Sequence, residues 1–230
     1  MSIFENPDQK RQRETLERLF SLHSFYQCKK DREGRRIGCL VASDRKYPSR
    51  WKPEGEHFFA ESYLNMPRAL STPAANEEFA QKLLDYYKLF HREPKIDYLV
   101  YADGYSGPLA HEMAKLFSCK YIHAVDAWHS DIPLNSNVLL VNGEWHNNVP
   151  IENFYQKYCQ GFGTVKVVGA LCIVNSSGRS RWQGQLSLLQ IYSLANVYYQ
   201  IYRQDDPKIK DDLVVGKMIW PWQRQTLWEE

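Results

Sequence analysis

The sequence predicts an α/β protein with a mainly parallel central sheet flanked by helices. Three observations carry this expectation. Strand-like and helix-like runs alternate roughly every 10 to 15 residues from Ile96 to Val197. Two strand-like runs, Val138-Leu139-Leu140-Val141 and TVKVVGALCIVN, are apolar almost throughout, as strands buried on both faces are. Polar turn residues, at Asp103-Gly104 and Asn142-Gly143, directly follow strands, where sheets of this kind hold their ligands.

The elements follow in order. After Asn6-Pro7, residues 8–28 place Leu16, Leu19, Phe20 and Phe25 at helical spacing and predict an amphipathic helix. DREGRR is a loop, IGCLVAS a short strand, and a second short strand lies around His57 to Ala60. Thr72 and Pro73 supply a cap and a first helical residue, and Phe79, Leu83, Leu84 and Tyr87 share one face of the helix that follows. Next come a strand (IDYLVYAD), a helix (PLAHEMAKLF), a strand (KYIHAVDA) and a strand (NVLLVN) that breaks into a polar turn at Asn142-Gly143. IENFYQKYCQGFG predicts a helix with a glycine stop, TVKVVGALCIVN a long strand, and NSSGRSRWQGQ a loop before LSLLQIYSLANV. The tail loses periodicity and carries Trp220, Trp222 and Trp228. A tail this aromatic is expected to pack on the body or on a partner. The organisation expected is therefore an N-terminal helix and loop over 1–36, an α/β domain over 37–200 and a C-terminal extension over 201–230.

Composition excludes several classes. The chain has 230 residues, of which 43% are hydrophobic and 14% aromatic, enough for one sizeable core. A net charge of +2 says nothing of acidic partners. The basic residues of the first fifty are interleaved with acids, a solvated face before a nucleic-acid patch. No apolar run approaches the roughly 20 residues of a membrane span, and the first residues are charged, so a membrane location is not expected. The five cysteines are scattered, without paired metal spacing, as in a cytoplasmic protein with reduced thiols; no metal site or cofactor is expected.

Two loops carry candidate chemistry. In YADGYSGPLA, Asp103, Gly104, Tyr105, Ser106 and Gly107 lead into a helix, and converging backbone amides there make an anion seat; a plain strand-to-helix turn uses the same residues. In NGEWHNNVP, Asn142, Gly143, Glu144, His146, Asn147 and Asn148 offer hydrogen-bonding and titratable groups, or simply a polar loop capping the next helix. Glu144 and His146 lack a Ser or Cys nucleophile and are too few for a metal. Arg179 and Arg181 in NSSGRSR are a candidate clamp for a phosphate or carboxylate, or merely solvated.

Read together, these pieces resemble the type I phosphoribosyltransferase fold, most closely its orotate phosphoribosyltransferase branch, over roughly residues 37–197. VASDRKYPS and the next strand look like that branch's hood, about 37–70. IDYLVYADGYSGPLAHEMA looks like its pyrophosphate loop and helix, and NVLLVNGEWHNNVPIENFYQKYCQGFGTVKVVGALCIVN is similar to the stretch bearing its signature. The resemblance implies that the signature's two acids fall on Asn142 and Gly143, and its Thr-Thr-Gly cradle on His146, Asn147 and Asn148. The hood lysine falls on Ala42, the pyrimidine-reading Asp-Arg pair on Asn175 and Ser176, and the mobile catalytic loop between Ala124 and Asn137, where it is acidic and lacks lysine. The resemblance also implies a homodimer.

Transfer from a highly anionic substrate depends on Mg²⁺ and cations that stabilise the leaving group. With those groups replaced, the expectation is a catalytically degenerate protein with no catalytic residue, which binds a small phosphate- or nucleotide-type ligand or a protein through the old cleft. Tyr105, Trp128 and Trp145 would supply aromatic surface for it. An alternative is an active phosphoribosyltransferase-type enzyme with relocated machinery. It would use Glu144, Asp103 and Asp126 as acids, Arg179 or Arg181 as anion clamp, and Mg²⁺. A third is a structural role in a larger assembly, docked through the tryptophan-rich tail.

Overall fold

The computed structural model describes residues 6–43, 58–91, 95–129, 132–146, 149–156, 165–178 and 189–220. In chain order the elements are α1 (Pro7–Ser21), β1 (Phe25–Gln27), β2 (Leu40–Ser43), β3 (Phe58–Ala60), β4 (Ser62–Leu64), α2 (Met66–Ala69) and α3 (Pro73–Lys88). They continue with β5 (Tyr98–Tyr101), α4 (Gly107–Phe117), β6 (Lys120–His123), β7 (Ser136–Trp145), α5 (Val149–Tyr155) and β8 (Val165–Asn175). The last are β9 (Ile191–Asn196), β10 (Ile201–Arg203), α6 (Lys210–Val214) and β11 (Met218–Ile219). The chain divides into two compact units. One holds Met66–Tyr198 and the chain up to Arg18; the other holds Leu19–Asn65 and the chain from Tyr199 onward.

In the first unit, five strands form one sheet in the order β6-β5-β7-β8-β9, parallel throughout. The alternation of strand and helix anticipated this: parallel neighbours need crossovers, and helices supply them. One sheet face packs Val138, Leu140, Ala170 and Cys172 with Ile151 and Phe154 of α5 in a single buried cluster. Helices α3 and α4 pack on each other and on the sheet. The Thr72 hydroxyl accepts the Ala75 N–H at 3.3 Å, so α3 starts at Pro73 as its cap predicts.

Two sequence expectations need correction here. The helix expected over 8–28 ends at Ser21, because His23 takes a left-handed φ of 52° and Phe25–Gln27 pair with Ser62–Leu64. The turn expected at Asn142-Gly143 is strand. β7 continues to Trp145, with Glu144 opposite Val174 and Trp145 opposite Asn175, so interstrand pairing overrides the local turn propensity of Asn-Gly.

In the second unit, β1 pairs with β4, and a separate four-stranded sheet runs β10-β3-β2-β11. Residues from the sequence's expected N-terminal segment, α/β domain and C-terminal extension thus share one unit, because β10 pairs with β3 and β11 with β2. Leu40, Ala42, Phe59, Tyr202 and Ile209 are its buried cluster, and Trp220 packs edge-on against Phe59 with ring centroids 5.8 Å apart. Ala42, where the resemblance puts the hood lysine, is a core residue. Trp222 and Trp228 lie outside the described residues.

A buried carboxylate organises this unit. Glu61 receives Arg36 Nε at 2.8 Å, Tyr202 Oη at 2.8 Å and Lys30 Nζ at 2.7 Å, and Arg36 also reaches Asp212 at 3.0 Å. Burial pushes the Glu61 carboxyl upward, but the hydrogen bonds from Lys30, Arg36 and Tyr202 prevail and hold it below the usual glutamate range. Among the described residues, no helix is long and apolar enough to cross a membrane. Among the described residues, the thiols of Cys28 and Cys172 are buried and those of Cys39 and Cys119 half-buried, none in a disulfide.

Candidate functional site

The carboxyl ends of β5, β7 and β8 bring the candidate groups of the first unit together. After β5 the chain passes Ala102 and Asp103 into one 3-10 turn, Gly104–Ser106, from which α4 starts at Gly107. Gly107 has a helical φ of −56°, and a Cβ there would sit in ordinary contact with the Tyr101 ring at 3.4 Å. Ser106 is fully buried, and its Oγ accepts the Gly143 N–H at 2.9 Å. Tyr105 Oη donates to Asp103 Oδ2 at 3.0 Å.

Across the sheet, Asn142 is fully buried and its Oδ1 accepts the Ala102 N–H at 2.9 Å, while its Nδ2 has no hydrogen-bond partner among the described residues. Gly143 faces the other side of the sheet. A Cβ on it would lie 3.0 Å from Leu70 Cδ1, 3.0 Å from Met66 Cε and 3.4 Å from Tyr105 Cε2. Glu144 returns to the Asn142 side, where Ser176 Oγ donates to its Oε1. Asn175 Oδ1 is engaged by the N–H and hydroxyl of Ser177, at 3.1 and 2.6 Å.

Charge in this cluster is negative. Burial pushes the Asp103 carboxyl above its usual range; the Glu144 charge adds to the rise, and the Tyr105 hydrogen bond opposes it. Burial also pushes the Cys172 thiol well up, with Glu144 adding to it, so Cys172 is a neutral packing residue. The His123 ring bonds the Ala102 carbonyl at 2.7 Å. Mg²⁺ asks for several oxygen ligands in near-octahedral array. Among the described residues no group of three or more His, Cys, Asp or Glu could hold a metal.

No protein-family model matches the chain, and no curated protein matches it. Solved structures do. The orotate phosphoribosyltransferase of Aeropyrum pernix matches with a TM-score of 0.50 at 16% identity, over 79% of this chain and 93% of that one. The UMP synthase of Leishmania donovani matches with a TM-score of 0.53 at 13% identity, over 93% of this chain. This chain spans 40% of the length of that synthase. The fold is that of the type I phosphoribosyltransferases.

Within this phosphoribosyltransferase fold, Asp103, Gly104, Tyr105, Ser106, Gly107, Asn142, Gly143 and Glu144 gather at adjoining strand ends. His146 follows β7, half-buried, with no partner for its Nδ1 among the described residues. Asn147, Asn148, Arg179 and Arg181 lie outside the described residues, as do the side-chain surroundings of Trp128. Trp145 is 1% exposed and belongs to the core, so it offers no stacking surface. His111 sits exposed on α4, edge-on to Tyr121. Sequence reasoning missed Met66 and Leu70, which reach Gly143 from more than seventy residues away in the chain. Only an apolar pair opening a segment before Thr72 could have hinted at them. The resemblance marks Ser176 only as a base-reading position; its hydroxyl donates to Glu144.

Proposed function

We propose that this chain is a catalytically degenerate phosphoribosyltransferase-like protein that binds a ligand or a protein partner, as an assembly or regulatory component, without transferring a phosphoribosyl group. One observation carries the reading. Where the resemblance puts the second of two acids, the strand holds Gly143, and the space beyond its Cα is taken by Met66, Leu70 and Tyr105. The neighbouring groups are spent internally: Asn142 Oδ1 on the Ala102 N–H, Ser106 Oγ on the Gly143 N–H, and Ser176 on Glu144. Transfer needs cationic stabilisation of a leaving diphosphate, and losing one such contact typically costs about 3 kcal/mol of barrier. The described strand ends instead present two carboxylates.

The test is incubation with phosphoribosyl pyrophosphate, Mg²⁺ and a panel of bases, following pyrophosphate. No release is expected. Release that disappears in Glu144→Gln would overturn the reading and promote relocated catalysis. The observation favouring that second reading is the burial of Asp103 beside the Glu144 charge, since perturbed acids cluster at working sites. Asp126 is exposed, 3.8 Å from His123 Nδ1. Binding itself is measurable by thermal shift against nucleotides, because a ligand at a hundred times its Kd adds about 2.7 kcal/mol of stability. A homodimer, and partner docking through the tail that carries Trp220, Trp222 and Trp228, belong to the same proposal and are read by light scattering of the full chain.

A further inference from the structure

We propose that Asn142 is a modification site, a latent point of spontaneous conversion to aspartate and isoaspartate, and that Ser106 is the residue that holds it closed. The inference stands apart from the binding reading above and does not depend on it. Asparagine followed by glycine is the pair in which this chemistry runs most readily, because glycine leaves the backbone free to turn and its amide nitrogen unshielded. In the first step the Gly143 nitrogen attacks the side-chain carbonyl carbon of Asn142 and passes its proton to the departing amide. The bond to Nδ2 breaks, ammonia leaves, and a succinimide ring remains. Water then opens the ring at either carbonyl. One opening gives aspartate; the other gives isoaspartate, in which the main chain runs through the side-chain carbons.

Each group that would react has a defined setting in the fold. Asn142 Oδ1 accepts the Ala102 N–H at 2.9 Å, a contact that polarises the carbonyl under attack and does not shield it. Its Nδ2, the leaving nitrogen, has no hydrogen-bond partner among the described residues. The restraint therefore lies on the nucleophile. β5 pairs with β7 as far as Val100 opposite Leu140; beyond that point the Gly143 N–H is taken by the fully buried Ser106, whose Oγ accepts it at 2.9 Å. On the β8 side, Asn142 lies opposite Cys172 and Glu144 opposite Val174, which keeps this stretch extended, whereas ring closure needs the chain to turn back on itself. Reaction thus waits for the end of β7 to open, and Ser106 is the contact that keeps the Gly143 nitrogen occupied. The product matters to the fold: isoaspartate lengthens the main chain ahead of Gly143 and takes Glu144 out of register with Val174.

The full chain and a synthetic peptide of residues 138–146 are aged together in mildly alkaline buffer, and peptide mapping by mass spectrometry follows the mass change and the isoaspartate at Asn142. The folded chain is expected to convert at least about tenfold more slowly than the peptide, because conversion is limited to the opened fraction. This comparison needs no variant. Ser106→Ala leaves the Gly143 N–H without its acceptor and should speed conversion at Asn142 by at least about fivefold. Gly143→Ala in the Ser106→Ala background should remove that acceleration. Local opening exposes little surface, so the faster rate should barely change with urea below the unfolding transition. Four results overturn the proposal. They are a folded chain that converts as fast as the peptide, a Ser106→Ala chain no faster than the parent, an acceleration that survives Gly143→Ala, and a rate that rises with urea as steeply as global unfolding does.

Discussion

Placing an acid at Gly143 tests whether the space beside this strand position is physically closed. A Cβ at this position meets two flexible side-chain ends at 3.0 Å, Leu70 Cδ1 and Met66 Cε, and the Tyr105 ring edge at 3.4 Å. Those ends shift by a few tenths of an ångström at small cost, and a strand alanine recovers about 0.5 kcal/mol or more of backbone entropy relative to glycine. Gly143→Ala should therefore stay within about 1 kcal/mol of the parent. Aspartate adds three heavy atoms beyond that Cβ. Overpacking costs roughly 1–3 kcal/mol, and a carboxyl buried among Leu, Met and an aromatic edge without a donor costs roughly 1–3 more. Gly143→Asp should thus lose about 2–6 kcal/mol, a large share of the 5–15 kcal/mol typical of a folded domain.

Urea melts of the two variants measure this, with the slope checking that the unfolded state is unchanged. The deficit should also depend on pH. A buried aspartate has its folded pKa raised, so its penalty is greatest above that value and shrinks as pH falls toward the unfolded pKa of about 4. A Gly143→Asp protein within 1 kcal/mol of the parent at neutral pH would show that the space is open, and the argument for a closed cleft would fail.

Further variants probe other parts of the molecule. Ser106→Ala removes the acceptor of the buried Gly143 N–H and should cost about 1–3 kcal/mol in the same melts; no change would mean that water replaces the hydroxyl. Glu61→Gln should cost about 3 kcal/mol at neutral pH, because Arg36 and Lys30 lose the carboxylate they share. The folded Glu61 carboxyl is depressed, so its contribution is fully present above the unfolded pKa of about 4.3 and lost as pH falls through the folded value; the gap to the parent should close in acid. Thr72→Ala should destabilise by about 1 kcal/mol through loss of the α3 cap, and Thr72→Ser should restore most of it.

Where the sequence was informative, the signal was periodic and local. Long apolar runs such as 138–141 and 167–174 demand burial on both faces, and alternation with helices then demands a parallel sheet, which is what β5 to β9 form. Thr72-Pro73 likewise announced the start of α3. Candidate residues at strand ends, Asp103, Ser106, Asn142 and Glu144, were legible because loops after parallel strands are where ligands sit.

The failures share a cause. Strands β10 and β11, three and two residues long, carry no period of their own and exist only through pairing with β3 and β2. The chain Asn142-Gly143-Glu144-Trp145 has turn chemistry locally but lies beside β8, which supplies pairing partners for it. Glu61 looks like any surface glutamate until Lys30, Arg36 and Tyr202 converge on it from three places in the chain. So the sequence by itself determined the class of fold and which strand ends could matter, because hydrophobic periodicity is written residue by residue. Tertiary structure alone decided that Met66 and Leu70 cover Gly143 and that Asn142 Oδ1 holds the Ala102 N–H, because contacts between distant segments depend on how the chain returns to itself.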